Sequence, residues 1–199
     1  PYIDYSEYAA ALDKKQLSDI KRRKEKFEKE AEVKIIIGSK IEDAIWEKLV
    51  AFHKEAFDGT GFSNSLNQLF YKELINREGI RDKIEFSYIL CNKEAVAVHF
   101  GFIYHDRVYY YVPSYNKDFG SAGVGQILLK EIIEHYGKKG FKTFDFLRGS
   151  ERYKDAWTDK CQFNFNFRAV SPQSPWIHRV ITNLRIAVNS TPFLRNVYK

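Results

Sequence analysis

Residues 84–112 carry three β-prone runs with almost no chain between them, and this spacing limits the fold more than any other feature. The runs cover 84–91, 94–104 and 107–112, and the links are only Asn92-Lys93 and His105-Asp106. Links this short join antiparallel strands, so the runs predict two successive hairpins. A loop over 113–122 follows, then a helix over 123–139 closed by Gly140, then a strand over 142–146. A helix of that length between two strands predicts a parallel crossover. The chain therefore reads as an α/β domain with a mixed sheet, antiparallel hairpins first and a parallel pair last.

The flanks fit this plan. A mostly polar helix is predicted over 5–31, where Tyr5, Tyr8, Leu12, Leu17, Ile20 and Phe27 form a thin apolar stripe. A strand is predicted over 33–37, and helices over 41–57 and 63–78. The second of these helices places Leu66, Leu69, Phe70, Leu74 and Ile75 along one side. After the crossover come a short helix over 151–157, a strand over 162–170 and a helix over 176–188. The organisation read from this is a basic helix within 1–32 and one domain over 33–199. The thin stripe of the first helix predicts exposed apolar residues there, covered by a further domain upstream or by a second copy of the chain.

Charge is concentrated at the two ends. The 199 residues carry 32 Lys/Arg against 26 Asp/Glu, a net of +6. Residues 14–29 hold eight cations against Asp19, Glu25 and Glu28, a net of +5, and residues 176–199 add four cations and no acid. Such ends suit phosphate-bearing ligands, acidic membranes or nucleic acid, and equally a solvated helix face. No apolar run reaches the roughly 18 residues that a membrane-spanning helix needs. Cys91 and Cys161 lie far apart with no metal-ligand spacing, so no metal site is expected. Two free thiols and no signal-peptide pattern give a cytoplasmic expectation.

In sheets of this kind, ligands favour the carboxyl ends of the parallel strands. Those ends are residues 112–115 and 146–149. Beside the first, Gly120-Ser121-Ala122-Gly123-Val124-Gly125 opens a helix. Glycines let backbone N–H groups converge, and a helix N-terminus adds about half a positive charge. Ser121, Gly123, Val124, Gly125 and Gln126 are thus candidates to cradle a pyrophosphate, with Val112 at the strand end beside them. Tyr115, just past Pro113, is placed at the mouth of the site. At the second end, Asp145 sits in an apolar strand and needs a partner, for which Arg148 and Lys154 stand nearest in sequence. It is either a salt bridge that fixes the turn or a participant in chemistry. Arg148 is a candidate contact to substrate, and Tyr153 a candidate general acid for a leaving thiolate. His99 alternates with Ala95, Ala97, Gly101 and Ile103 on one face of its strand, and these small residues leave room around the ring. It is either a base for an incoming ammonium or a hydrogen-bonded structural histidine.

The run FDFLRGSERYKDAW, preceded by YYYVPSYN and GVGQILLKEIIEHYGKKG, resembles the acetyltransferase domain of CelD-like proteins linked to bacterial polysaccharide synthesis. That domain belongs to the GNAT superfamily and is similar to the Fem-type aminoacyl transferases of peptidoglycan cross-bridges. The likeness spans residues from about 12 to about 190 and is specific over 107–157. It implies a GNAT fold and direct acyl transfer from acetyl-CoA or another acyl-CoA to an amine or hydroxyl, on a sugar or cell-envelope precursor. It also implies that Lys154 lies at the reaction centre, where the residues alone suggest a surface lysine. The chain departs from the family at Gly120, where GNAT enzymes usually carry Arg or Gln. Two alternatives follow: Fem-type transfer from aminoacyl-tRNA, or a non-catalytic module docking on a partner or membrane.

Overall fold

The computed structural model describes residues 5–57, 61–149, 151–161, 175–177 and 180. Two compact units divide the chain, 1–159 and 160–199, and the five strands of the described residues lie in the first. The strand predicted over 162–170 lies outside the described residues, as does most of the helix predicted over 176–188.

The two hairpins form as the spacing requires. Strands β1 (Val33–Ile36), β2 (Ile84–Cys91), β3 (Glu94–Tyr104) and β4 (Arg107–Tyr115) pair antiparallel in that order. Asn92 (φ 49°) and Lys93 (φ 70°) take left-handed backbone in the first tight turn, and His105 (φ 53°) does so in the second. Helix α5 (Val124–Lys138) then crosses over, and β5 (Thr143–Asp145) pairs parallel with β4, giving the sheet order β1-β2-β3-β4-β5. The parallel pair expected at the end of the sheet is present.

Two bulges break the regular alternation. Ile89 pairs with Ala97 and Leu90 with Ala95, which leaves Val96 without a partner on β2. Val96 therefore joins Ala97 on the side facing α5, and Ala95 turns to the opposite side, against the simple alternation expected from sequence. On β4, Tyr110 and Tyr111 together face the single residue Gly101.

Helices cover both faces. One face packs α5 through Ile127, Leu128, Ile132 and Tyr136 against Ile89, Ala97, Val108 and Tyr110. The other packs α3 (Asp43–Ala56) through Trp46, Leu49 and Phe52 against Phe86, Val98, Phe100 and Val112. Trp46 meets Phe100 edge-on at 5.2 Å and Phe62 at 5.8 Å. Each such contact adds about 1 kcal/mol beyond simple burial. On α4 (Ser65–Asn76) the core side carries Tyr71 and Ile75, while Leu66, Leu69 and Phe70 are exposed, so the single apolar side predicted for this helix is split.

The N-terminal segment is two helices rather than one. Asp13 ends α1 (Tyr5–Ala11) and caps α2 (Lys14–Glu30), its carboxylate accepting from Lys15 N–H at 2.8 Å. The thin apolar stripe is covered within the chain. Ile20 and Phe27 are buried, and Leu12 and Leu17 pack against the same core as α5. Lys24 adds a bond across to Glu131 of α5 at 3.0 Å. The exposed stripe expected for this helix is absent, because α5 presents a second apolar side to it.

Candidate active site

The parallel pairing of β4 with β5 is short. Arg107, Val108 and Tyr109 face Thr143, Phe144 and Asp145, and there the ladder stops. β4 runs on to Tyr115, three residues past its predicted end, and among the described residues no strand pairs with its outer edge from Tyr110 onward. Pro113, which has no N–H to donate, is accommodated on this stretch. The bulge at Tyr110–Tyr111 sits where the two strands part. A bulge bends its strand and sharpens the local twist, so it opens the cleft at that point.

The glycine loop closes one wall. After Tyr115 the chain makes a single 3₁₀ turn over Lys117–Phe119 and reaches Gly123, whose left-handed backbone (φ 72°) caps α5. Gly123 N–H donates to Gly120 O, and Gln126 and Ile127 both donate to Gly123 O, each at 3.0 Å. Among the described residues, the N–H groups of Ser121, Val124 and Gly125 have no backbone acceptor. Of the predicted donors these three stay open, while Gly123 and Gln126 spend theirs within the turn. The Gln126 side chain is also engaged, accepting the Trp157 indole N–H at 3.1 Å. That bond ties the end of α6 (Arg152–Asp155) to the start of α5. Tyr115 lies across the loop, and a Cβ at Gly125 would come 3.1 Å from its ring.

Sequence reasoning missed Arg23. Its side chain reaches from α2 over the cap of α5, so that a Cβ at Gly123 would stand 3.3 Å from Arg23 Nη1. Asp19 holds the guanidinium through Nε at 2.7 Å, and no ion pair at Nη1 or Nη2 is seen among the described residues. Hydrogen bonds from Arg22 and then Arg23 keep the Asp19 carboxyl below its usual range. Only the third dimension brings residue 23 to residue 123. A basic helix in the sequence was the sole hint.

The other wall is the turn after β5. Asp145 pairs with Arg107 at 3.2 Å and accepts Leu147 N–H at 2.8 Å, instead of meeting Arg148, Tyr153 or Lys154. It thereby holds Leu147 in left-handed backbone (φ 57°). Lys154 is buried, not a surface lysine: its ammonium donates to Arg148 O at 3.0 Å and pairs with Glu151 at 2.7 Å. Arg148 itself is exposed. Tyr153 is half-buried, and burial, with Glu151 nearby, pushes its phenol up to about 12. Val112 has its side chain in the core below α3, so only its backbone reaches the cleft.

This bonding makes Lys154 a staple of the turn. Lys154→Ala leaves Arg148 O and the Glu151 carboxylate without their cation, and a stability loss of about 2 kcal/mol is expected in thermal unfolding. An unchanged melting temperature with lost turnover would put the ammonium in the chemistry instead.

His99 is fully buried and stacks on Tyr110, ring centroids 4.2 Å apart, which fills the room expected around it. Its Nδ1 bonds the Glu85 carboxylate, and its Nε2 accepts Tyr111 N–H at 3.2 Å. Glu85 was also missed, although Glu85, Ser87 and Ile89 alternate along β2 and put two polar groups on one side of an apolar strand. Among the described residues no group of three or more His, Cys, Asp or Glu is placed to hold a metal ion, and no helix is long and apolar enough to cross a membrane.

Known proteins share this architecture. An aminoglycoside acetyltransferase from an uncultured soil metagenomic sample, solved with sisomicin, is similar with a TM-score of 0.52 and 14% identity, over 70% of this chain and 96% of that one. A possible acetyltransferase from Clostridium difficile 630 is similar with a TM-score of 0.52 and 13% identity, over 70% and 98%. AAC(6')-Iy in complex with the bisubstrate analogue CoA-S-monomethyl-acetylneamine is similar with a TM-score of 0.51 and 13% identity, over 71% and 100%. At these identities the likeness is one of fold. No curated protein matches the sequence. The profile described as "Acetyltransferase (GNAT) domain" matches residues 14–155, a stretch that takes in all five described strands, the glycine loop and α2. The chain belongs to the GNAT acetyltransferase family.

Proposed function

We propose that this chain moves an acyl group from a CoA thioester directly to an amine or hydroxyl, with no covalent enzyme intermediate. The observation that carries the reading is the start of α5. Open N–H groups at Ser121, Val124 and Gly125, a helix N-terminus and the Arg23 guanidinium converge there, beside the point where β4 and β5 part. Such a cluster suits a pyrophosphate. Arg23 takes the place of the side chain absent at Gly120. The thioester then runs along the edge of β4 beyond its pairing with β5, between Tyr115 and the turn after Asp145.

The acceptor lone pair attacks the thioester carbonyl carbon. A C–N or C–O bond forms as the C–S bond breaks, the acceptor proton passes to solvent, and the thiolate takes a proton. Tyr153 keeps its O–H at neutral pH and is the donor for that step. Arg148, exposed on the rim, contacts substrate. Asp145 and Lys154 act by holding the turn.

For the acceptor we read an amine or hydroxyl on a sugar or cell-envelope precursor. The CelD-like stretch over 107–157 supports this. So do neighbours described as aminoglycoside acetyltransferases. Fem-type transfer from tRNA is less favoured, since Lys21, Arg22, Lys24 and Lys26 each face an acid on their own helix.

Calorimetry with CoA, acetyl-CoA and longer acyl-CoAs tests the reading before any acceptor is known. Binding with a dissociation constant of roughly 1 μM to 1 mM is expected, the usual range for enzyme substrates. Silence toward every CoA species, with salt-sensitive binding of aminoacyl-tRNA, would replace it with the Fem-type alternative.

A further inference from the structure

A chain of hydrogen bonds, buried at its centre, runs across the sheet. Gly38 N–H, just past β1, donates to Ser87 Oγ on β2 at 3.0 Å. Ser87 donates to one oxygen of Glu85, and the other oxygen bonds His99 Nδ1 on β3. His99 Nε2 accepts Tyr111 N–H on β4 at 3.2 Å. Glu85, Ser87 and His99 are all 0% exposed. The donor inventory fixes the protons. A nitrogen that accepts a backbone N–H carries no hydrogen, so Nε2 is bare and Nδ1 holds the imidazole proton toward Glu85. A ring held this way at both nitrogens cannot take a proton from an acceptor amine in the cleft.

The last link falls on the bulge. Tyr110 and Tyr111 share one partner, Gly101, and a bulge leaves a ladder group without a strand partner. Here an imidazole supplies the acceptor for Tyr111 N–H. The same ring stacks on Tyr110, with 11° between the planes, so it grips both bulged residues. On the opposite face, the Tyr111 hydroxyl meets that of Tyr71 from α4 at 2.6 Å. Gly101 must lack a side chain for this to fit, since a Cβ would overlap Tyr109 O and come within 2.7 Å of His99 Cε1. A buried carboxylate–imidazole pair adds little net stability over apolar packing, but it specifies one geometry.

We infer that Glu85 and His99 are a buried positioning pair that fixes the β4 bulge, and so set the line of the strand edge on which the thioester carbonyl rests. This rests on the acyl-CoA reading for its catalytic consequence, though not for its geometry. His99 acts through the backbone of Tyr111 and touches no substrate. Displacing that backbone by a fraction of an ångström should cost rate more than donor affinity, because the pyrophosphate is held separately at α5.

Two variants separate the two ends of the ring. His99→Gln keeps an acceptor near the position of Nε2, and His99→Asn keeps only a donor near Nδ1. With acetyl-CoA and an amine acceptor, His99→Asn is expected to lower kcat on the order of tenfold to hundredfold, with the donor KM changed by no more than about threefold. His99→Gln is expected to retain most of the kcat. Equal kcat in His99→Asn and wild type overturns the inference, as does an equal loss in both variants. The ¹⁵N spectrum of the wild-type histidine rings is independent of activity and of any variant's folding. It should show His99 protonated at Nδ1 and bare at Nε2. An Nε2–H tautomer, or a ring that exchanges freely with solvent, sinks the pair even if acetyl-CoA binds. Conversely, the expected tautomer in a protein that binds no CoA keeps the pair and removes the acyl-CoA reading.

Discussion

Gly101→Ala is expected to lose about 3 kcal/mol or more of stability, a fall in melting temperature of roughly 10 °C for a chain of this size. Gly61→Ala is expected to stay within about 0.5 kcal/mol of wild type. The contrast follows from what each new methyl group would meet. At Gly101 the obstacle is a backbone oxygen, Tyr109 O, with the His99 ring beside it. Neither can swing aside: Tyr109 is the last residue of β4 paired with β5, and the ring is bonded at both nitrogens. The bulge must therefore flatten or the hairpin must shift. At Gly61 the nearest atom among the described residues is the amide nitrogen of Asn67, 3.8 Å away, an ordinary contact. Parallel thermal melts of the two variants decide the matter. A Gly101→Ala chain that melts with wild type would show that β4 can do without its bulge.

Arg23→Gln is expected to weaken acetyl-CoA binding about tenfold or more while leaving kcat at saturating donor nearly unchanged. A hydrogen bond to a charged group contributes about 1.5–3 kcal/mol, and about 1.4 kcal/mol is a factor of ten. The loss should vanish with a short acetyl thioester that carries no phosphate, because that donor never meets the guanidinium. Stability should change by no more than about 0.5 kcal/mol, since Arg23 is on the surface of α2. Steady-state kinetics with the two donors make the comparison. Equal losses with both would mean that Arg23 shapes the protein and does not hold phosphate.

What could be read from the sequence was whatever depends on neighbours along the chain. β2 and β3 begin and end where their alternation and tight links place them, because a two-residue turn fixes where the two strands start to pair. The position of the glycine loop at the start of α5 was legible for the same reason, as its turn is written in consecutive residues. Pro113 was misleading. It reads as a strand terminator, yet β4 passes through it, with Pro113 opposite His99 of β3. The break at Asp13 was signalled by an N-cap residue inside an otherwise helical pattern, and the stripe on either side obscured it. The bulges at Val96 and Tyr110–Tyr111 leave no mark in the alternation, so the surroundings of His99 were misjudged. Arg23 and Glu85 escaped because each acquires its meaning from residues that only the folded sheet brings near. Read alone, the first is one cation among eight and the second one acid on a strand.

The position of α2 has a thermodynamic consequence. The helix that seals one face of the core through Ile20 and Phe27 also carries Arg23 to the cap of α5. On the acyl-CoA reading proposed above, docking of α2 and occupancy of the donor site are linked equilibria. A chain with α2 loosened presents phosphate with backbone dipoles alone, and a chain holding its donor resists that loosening by the same free energy. The donor would thus act as a clasp on the N-terminal segment, and the segment's order would report how full the site is.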